Sequence, residues 1–492
     1  MVPHTELRPA ASINSTPPEL LQRIFNFLLY ARDLDEPTAA RVNDIGSLRL
    51  ICRRFCQLAS PLLIPEISVS MTEASLKRLK NVSSHQLIRS GVRSVHVKLP
   101  YYDRDMAASL THFAFFHTYS MERHLKHLES AIPCPESHDL PAWIDADVIK
   151  LGEEMISAWQ PIYTKDPLQD SDEHATYRNI LCDAHREYQI LFGAQEQMRS
   201  SGVFLSAIAS AMAKMPYADR LEITDGEDDS HKKDAYLIDR EYRTSLRAVM
   251  LEPHAWSNPT HLNKGPDFEQ PAEFLHKLPV EIHQAGVTLR EMKVECSGHW
   301  IYAKLPMSPS ERTSFTESLQ NLKTLTFEAA KGKSGTNWCY TRQEDARDKI
   351  FGFLSAFLQT PGLEQLTIAF SGLTLGSHSL GKVLARAHHR RLKRLRLTGA
   401  TFRAGELGRY LARVESPCDV VLESTELLGG TWAEEADELR GLSRVSTTVV
   451  GPFGAEFRNG QFQDMWTLEE ESMLNRYLKR ASSVNPFRNK NI

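Results

Sequence analysis

Residues 350–368 read IFGFLSAFLQTPGLEQLTI, and the fold turns on how this stretch divides. Ile350 to Leu358 is an apolar-rich run long enough for a helix. Pro361 and Gly362 stop it, and Leu363-x-x-Leu366-x-Ile368 follows. Leu366 and Ile368 alternate with polar residues, as a half-buried strand requires, because successive strand side chains point to opposite faces. The unit is helix, turn, strand.

The same apolar–x–x–apolar–x–apolar form recurs, starting at Val92, Ala218, Leu246, Leu289, Leu322 and Leu392. Three apolar positions make a permissive template, so the flanks decide. Val203 to Met215 reads as an amphipathic helix that Pro216 ends before a strand at Leu221. Leu380 to Ala387 precedes Leu392, and Leu407 to Val414 precedes a strand expected at Val420 to Leu422. Repeated helix–turn–strand units predict an α/β fold with a parallel sheet lined by helices. The starts at 289, 322, 363 and 392 lie 33, 41 and 29 residues apart. Leucine-rich repeats are more regular and usually about 20–29 residues long. The pattern over 203–455 therefore resembles a degenerate leucine-rich-repeat array, an irregular solenoid with one strand face. A generic α/β domain with an open sheet fits the same segments.

Outward from this region, 67–100 supplies a first strand and a link. Residues 101–202 break the pattern with helices expected at Met106 to Leu128, Val148 to Trp159 and Tyr177 to Met198, an α-helical insert. The stretches 225–234 and 256–270 read as exposed loops. Over 456–492, Thr467 and Glu470 carry a capping-box signal. Leu474, Tyr477 and Leu478 then form one side of a short helix expected to cap the array. Residues 481–492 are polar and expected to be disordered.

The N-terminal stretch 17–29, PPELLQRIFNFLL, is a second decisive segment. Proline suits the first turn of a helix, whose N–H groups have no partner there, and Glu19 faces the positive end of the helix dipole. Leu20, Leu21, Ile24, Phe25 and Leu28 form one wide apolar stripe. A loop is expected over 31–43, then a second helix from Ile45 to Leu63 with Leu48, Ile51, Cys52, Phe55, Leu58, Ala59 and Leu62 on its apolar face and Pro61 bending it. A helical module of this size (13–66) is small for independent folding and exposes apolar surface unless something docks on it.

PPELLQRIFNFL together with DIGSLRLICRRFCQLASPLLIPEI resembles an F-box of the form common in fungal proteins. Ser47 to Ala59 follows the family's second half almost position by position. Thr16 departs from the family's usual leucine, with Ile13 a partial replacement, and the loop is longer than usual. The resemblance implies the substrate-recognition subunit of a Skp–cullin–F-box ubiquitin ligase. By it, Pro17, Pro18, Glu19, Leu20, Ile24 and Leu28, with Leu48, Ile51, Cys52, Phe55 and Leu58, meet the Skp-type adaptor and through it the cullin. Some of these must form the module's own core. The repeat region would hold a substrate protein, and the chemistry would occur on the E2 enzyme. No catalytic residue and no cofactor is then expected. A binding scaffold outside any ligase, or a hydrolase or transferase with a deep pocket of ionisable groups, are the alternatives.

Composition narrows the classes further. The chain has 492 residues, 41% apolar and 24% charged, with net charge −4. These are ordinary values for a globular protein of more than one region, with no overall positive field for nucleic acid or anionic membrane. No apolar run is long enough to span a membrane and no signal-peptide core opens the chain, so cytoplasm or nucleus is expected. Seven cysteines without a CxxC pair read as reduced thiols.

Metal patterns are weak. His124, His127, Cys134 and His138 match no zinc spacing, and Asp225, Glu227, Asp228 and Asp229 lack the order of a calcium loop. No phosphate-binding glycine loop and no Gly-x-Ser-x-Gly elbow occurs. The basic run His388, His389, Arg390, Arg391, Lys393, Arg394 and Arg396 fits a solvated turn; Arg390, Arg391, Arg394 and Arg396 are the candidate contacts to an acidic or phosphorylated substrate. Asn485-Pro486-Phe487 matches a triplet read by some endocytic adaptors, too short to carry a claim.

Overall fold

A computed structural model describes residues 13, 16–30, 39–131, 146–164, 172–225, 242–256, 270–297, 305–330, 344–370, 379–454 and 468–488. The chain is a mixed α/β protein organised around a nine-stranded, wholly parallel sheet. Its strands are β1 (Glu66–Ser70), β2 (Ser94–Lys98), β3 (Arg220–Thr224), β4 (Glu291–Ser297), β5 (Thr324–Ala330), β6 (Gln365–Phe370), β7 (Arg394–Thr398), β9 (Cys418–Glu423) and β11 (Val445–Val450). The short strands β8 (Thr401–Phe402) and β10 (Glu426–Leu427) pair with each other beside it. Each main strand lies next to its sequence neighbour, in the order β1-β2-β3-β4-β5-β6-β7-β9-β11.

Parallel neighbours need a crossover. Here the crossovers include α4 (Glu73–Ser84), α9 (Val203–Lys214), α11 (Phe274–Gln284), α12 (Pro309–Ser318), α13 (Glu344–Phe357), α14 (Gly381–Leu384), α15 (Glu406–Leu411) and α16 (Trp432–Gly441). They cover one face. Leu221, Ile223, Met292, Val294, Leu325, Phe327, Leu366, Ile368, Leu395 and Leu397 are buried there against Phe204, Leu278, Phe315, Phe353 and Phe357. The intervening strand residues are polar and partly exposed. Parallel sheets are usually covered on both faces; here no described helix covers the second, in keeping with the alternation of the strands.

The segment starting at Leu246 is a correction. It lies in helix α10 (Tyr242–Met250), with Leu246 and Met250 in a second core. Leu246 and Val249 are three apart, a spacing that serves a helix as well as the strand template. This second core belongs to the insert: α5 (Arg104–Ala108), α6 (Leu110–Ala131), α7 (Ala146–Thr164) and α8 (Asp172–Ser200) enclose Phe113, Met121, Met155, Trp159, Leu181 and Tyr188. Buried polar groups join insert to sheet. Tyr188 Oη accepts from Asp103 N (2.7 Å), and Gln195 accepts from Tyr102 N (2.9 Å) while donating to Pro100 O (3.1 Å).

At the far edge, α17 (Leu468–Leu478) lies on β11. Asn475 accepts from Val449 N and donates to Val449 O, both at 2.8 Å, so one amide side chain occupies the place of a further strand. Thr467 lies outside the described residues. Residues 481–488, expected disordered, are folded back. Asn485 and Phe487 are buried, and Asn485 donates to Ala433 O (2.9 Å) and Asp437 Oδ1 (2.7 Å). The Asn-Pro-Phe triplet is therefore part of the packing of α16 and unavailable as an exposed motif.

Candidate protein-docking surface

The N-terminal module has three helices, α1 (Pro18–Tyr30), α2 (Ala39–Leu48) and α3 (Arg53–Ala59), followed by a 3-10 turn at Ser60–Leu62. Pro17 O accepts the first helical N–H bonds, from Leu20 and Leu21 (both 3.1 Å). The single second helix expected from Ile45 to Leu63 is two, and α2 begins inside the expected loop; 31–38 lie outside the described residues. The break has a local cause: Cys52 is extended and its thiol accepts from Phe55 N (3.5 Å), capping α3. A cysteine cap is a weak signal beside Ser, Thr, Asp or Asn.

Leu21, Phe25 and Leu29 repeat every four residues and face inward. With Ile45, Phe55 and Ala59 they form a small closed core, in which the Phe25 and Phe55 rings meet edge-on at 5.2 Å. Leu48, Cys52 and Leu58 are partly buried against it. Arg54 donates to Thr16 O, and Arg49 Nε to Ser60 Oγ (2.9 Å), so these arginines pin the module's own backbone and side chains.

The other apolar side of α1 is open. Pro17, Pro18, Glu19, Leu20, Ile24, Phe27 and Leu28 are exposed. Leu50 (87% exposed) and Ile51 (63%) stand on the turn before α3. These values decide that the surface is uncovered by any later described segment. Of the expected adaptor contacts, Pro17, Pro18, Glu19, Leu20, Ile24, Leu28 and Ile51 are thus on the surface. Phe55 belongs inside, a correction whose reason is that its ring fills the gap between α1 and α3. Phe27, seven residues after Leu20, continues the exposed edge of the stripe, and Leu50 stands on the turn between α2 and α3 where the sequence suggests the middle of one helix. Ile13 is exposed and fills no place in the core.

A tight join carries the module onto the sheet. Leu62 and Leu63 pack on the module core, Ile64 on the sheet core. Pro65 O accepts from Arg93 N (2.8 Å) and Ser94 N (3.2 Å). Gly91 passes so close that a Cβ there would lie 1.5 Å from Pro61 O.

The basic run is dispersed by the fold. His389 is buried, bonded to Tyr410 Oη (2.7 Å) and Leu358 O (2.9 Å), and burial pushes its pKa down to about 4. It is a neutral core residue. Arg390 pairs with Glu415 (3.3 Å), and Lys393 joins Lys323 on Glu364 (2.6 and 3.1 Å). Arg391 is exposed beside them. Arg394 and Arg396 stand on the open face of β7, where Arg396 reaches Glu423 at 3.7 Å.

Of the declined metal ligands, His124 lies on α6; the side chains of His127, Cys134 and His138 lie outside the described residues, as do Glu227, Asp228 and Asp229, while Asp225 is buried. A cleft of about 350 Å³ between α12 and α13 is lined by Leu305, Met307, Arg312, Asp348, Lys349 and Phe353. No described helix is long and apolar enough to cross a membrane. No known family model matches the chain. Nor does any curated protein.

Proposed function

We propose that this chain is the substrate receptor of a Skp–cullin–F-box ubiquitin ligase. Its N-terminal module docks on the Skp-type adaptor, and the sheet region, read as an irregular leucine-rich-repeat-like solenoid, carries a substrate protein. One observation supports this above the others: Leu20, Ile24, Phe27, Leu28, Leu50 and Ile51 remain exposed beside a module core that is already complete. Full burial of such a side chain is worth roughly 1.5–3 kcal/mol. A monomer gains nothing by leaving these six in water, whereas a partner that covers them gains most of that energy.

The one-sided sheet supports the second half of the reading. Sequential parallel strands with helices on a single face leave a polar surface including Glu222, Lys293, Glu328, Thr367 and Arg396, suited to reading a protein. Catalysis would then consist of tethering, which raises the effective concentration of substrate lysines near the charged E2. Affinity purification of the full chain with mass spectrometry tests the reading. Adaptor and cullin recovered together support it. Recovery of binding proteins with neither adaptor nor cullin would instead make the chain a scaffold outside any ligase.

A further inference from the structure

The open sheet face holds a group of side chains with ligand geometry at its N-terminal end. Glu66 on β1, His96 on β2 and Glu222 on β3 each bring one ligand atom within 4.8 Å of the others. They come from three adjacent strands. His96 is the register partner of Glu222, while Glu66, opposite Ser94, lies diagonally to His96. Rigid, hydrogen-bonded strands therefore fix the three Cα positions, which is a better platform than loops.

The imidazole is oriented. Its Nε2 lies 3.0 Å from Thr224 Oγ1 and its Nδ1 3.6 Å from Glu66 Oε1. The imidazole fits the group in either tautomer: with its Nε2 proton on the threonine oxygen the Nδ1 lone pair is turned toward Glu66 and can take a cation, and with the proton on Nδ1 it bonds the Glu66 carboxylate instead. Zinc bonds of about 2.0–2.1 Å to nitrogen and 2.0–2.2 Å to carboxylate oxygen set a gap of about 3.3 Å between neighbouring ligands in a tetrahedral site. The separation of Nδ1 and Oε1 is close to that. Histidine ligands commonly donate their other N–H to an oxygen, the place Thr224 takes here. Lys293 also reaches Glu222 (3.0 Å) and Glu295 (2.9 Å), holding the Glu222 carboxylate at the sheet surface and limiting the negative charge of the site.

The geometry points to a divalent transition-metal site of the zinc class formed by Glu66, His96 and Glu222, with Thr224 as the residue that positions the imidazole. Its remaining coordination positions face solvent on the polar face of the sheet, where water or a partner's carboxylate completes them. One imidazole among oxygens suits zinc or cobalt better than calcium, which takes oxygen ligands alone. The site lies on the open sheet face, uses no residue of the N-terminal module, and does not depend on adaptor binding.

The test uses the full chain, stripped with a chelator that is then removed and titrated with Zn²⁺. The chain has 19 histidines and 7 cysteines, so the readout is the difference between proteins. Wild type is expected to take up one more tightly held equivalent than His96→Ala, with affinity for that ion at least tenfold higher. Glu222→Gln gives the same loss with little change of size, should His96→Ala disturb the strand. Thr224→Val is expected to weaken binding by about tenfold, as for other groups that orient a ligand. X-ray absorption of the one-equivalent complex should report one imidazole among oxygens. Equal titrations of wild type, His96→Ala and Glu222→Gln, or a sulfur-ligated ion, would overturn the assignment.

Discussion

The N-terminal module and the parallel sheet dispose of apolar side chains in opposite ways. In the sheet, the strands from β1 to β7 send their large apolar residues to the helix-covered face, with Leu221 and Ile223 buried while Arg220, Glu222 and Thr224 look outward, and only toward the far edge do Val421 and Val450 stand on the other face. In the module, α1 is apolar on two sides, with Leu21, Phe25 and Leu29 inside and Leu20, Ile24, Phe27 and Leu28 outside. The sheet is therefore complete as a folded object, and the module is complete only as a core. Surplus apolar surface is the difference, and it lies where the F-box resemblance does.

The comparison can be broken first at the sheet. Phe357→Ala empties a fully buried site packed against Phe315 and Phe353 at 5.8 and 5.1 Å. A loss of roughly 3–5 kcal/mol is expected, read as a lower urea midpoint. Leu50→Ser, by contrast, should leave that midpoint within about 0.5 kcal/mol, since it touches only exposed surface.

The second effect is pH-dependent and belongs to the helix layer. Glu435 is buried, accepts from Gly405 N (2.7 Å), and is pushed up to about 7 by burial and by neighbouring Glu438 and Glu406. An acid with a raised folded pKa is penalised as pH rises: the fold loses stability from about pH 4.5 to 7, and the penalty is full above that. Glu435→Gln keeps the acceptor and removes the charge. It should stabilise the protein by roughly 3 kcal/mol above pH 7 and by nothing near pH 4, measured as urea midpoints across pH. A difference that does not change with pH contradicts this account of Glu435.

Third comes the join between the two regions. Gly91→Ala must push back Pro61, with an expected cost of roughly 1–3 kcal/mol, as for other overpacked sites. Hydrogen exchange should place the loss in 60–70 and 88–98, with the strands from β4 onward unaffected.

Much of the sheet was legible in the sequence because the template has a physical basis. In Leu363-x-x-Leu366-x-Ile368 the last two positions share a strand face and the first closes the preceding turn onto the same core. The template failed at Leu246, where the spacing also suits a helix, and was silent at β11, whose VSTTVV lacks the leading turn residue. The module's stripe was legible, but its division was not. Leu20 and Leu21 are neighbours in sequence and opposites in environment, and only the position of Phe55 decides which is inside. Long-range register was invisible altogether. Nothing local to Glu66, His96 or Glu222 shows that β1, β2 and β3 are adjacent, nor that His389 leaves its basic neighbours for the core.

The most direct test of the docking account is calorimetric titration of a purified Skp-type adaptor into the full chain and into the double variant Leu20→Asp, Ile24→Asp. The account predicts saturable binding by the wild type, and its loss in the variant with an unchanged unfolding midpoint. Binding of equal strength in both proteins would contradict it.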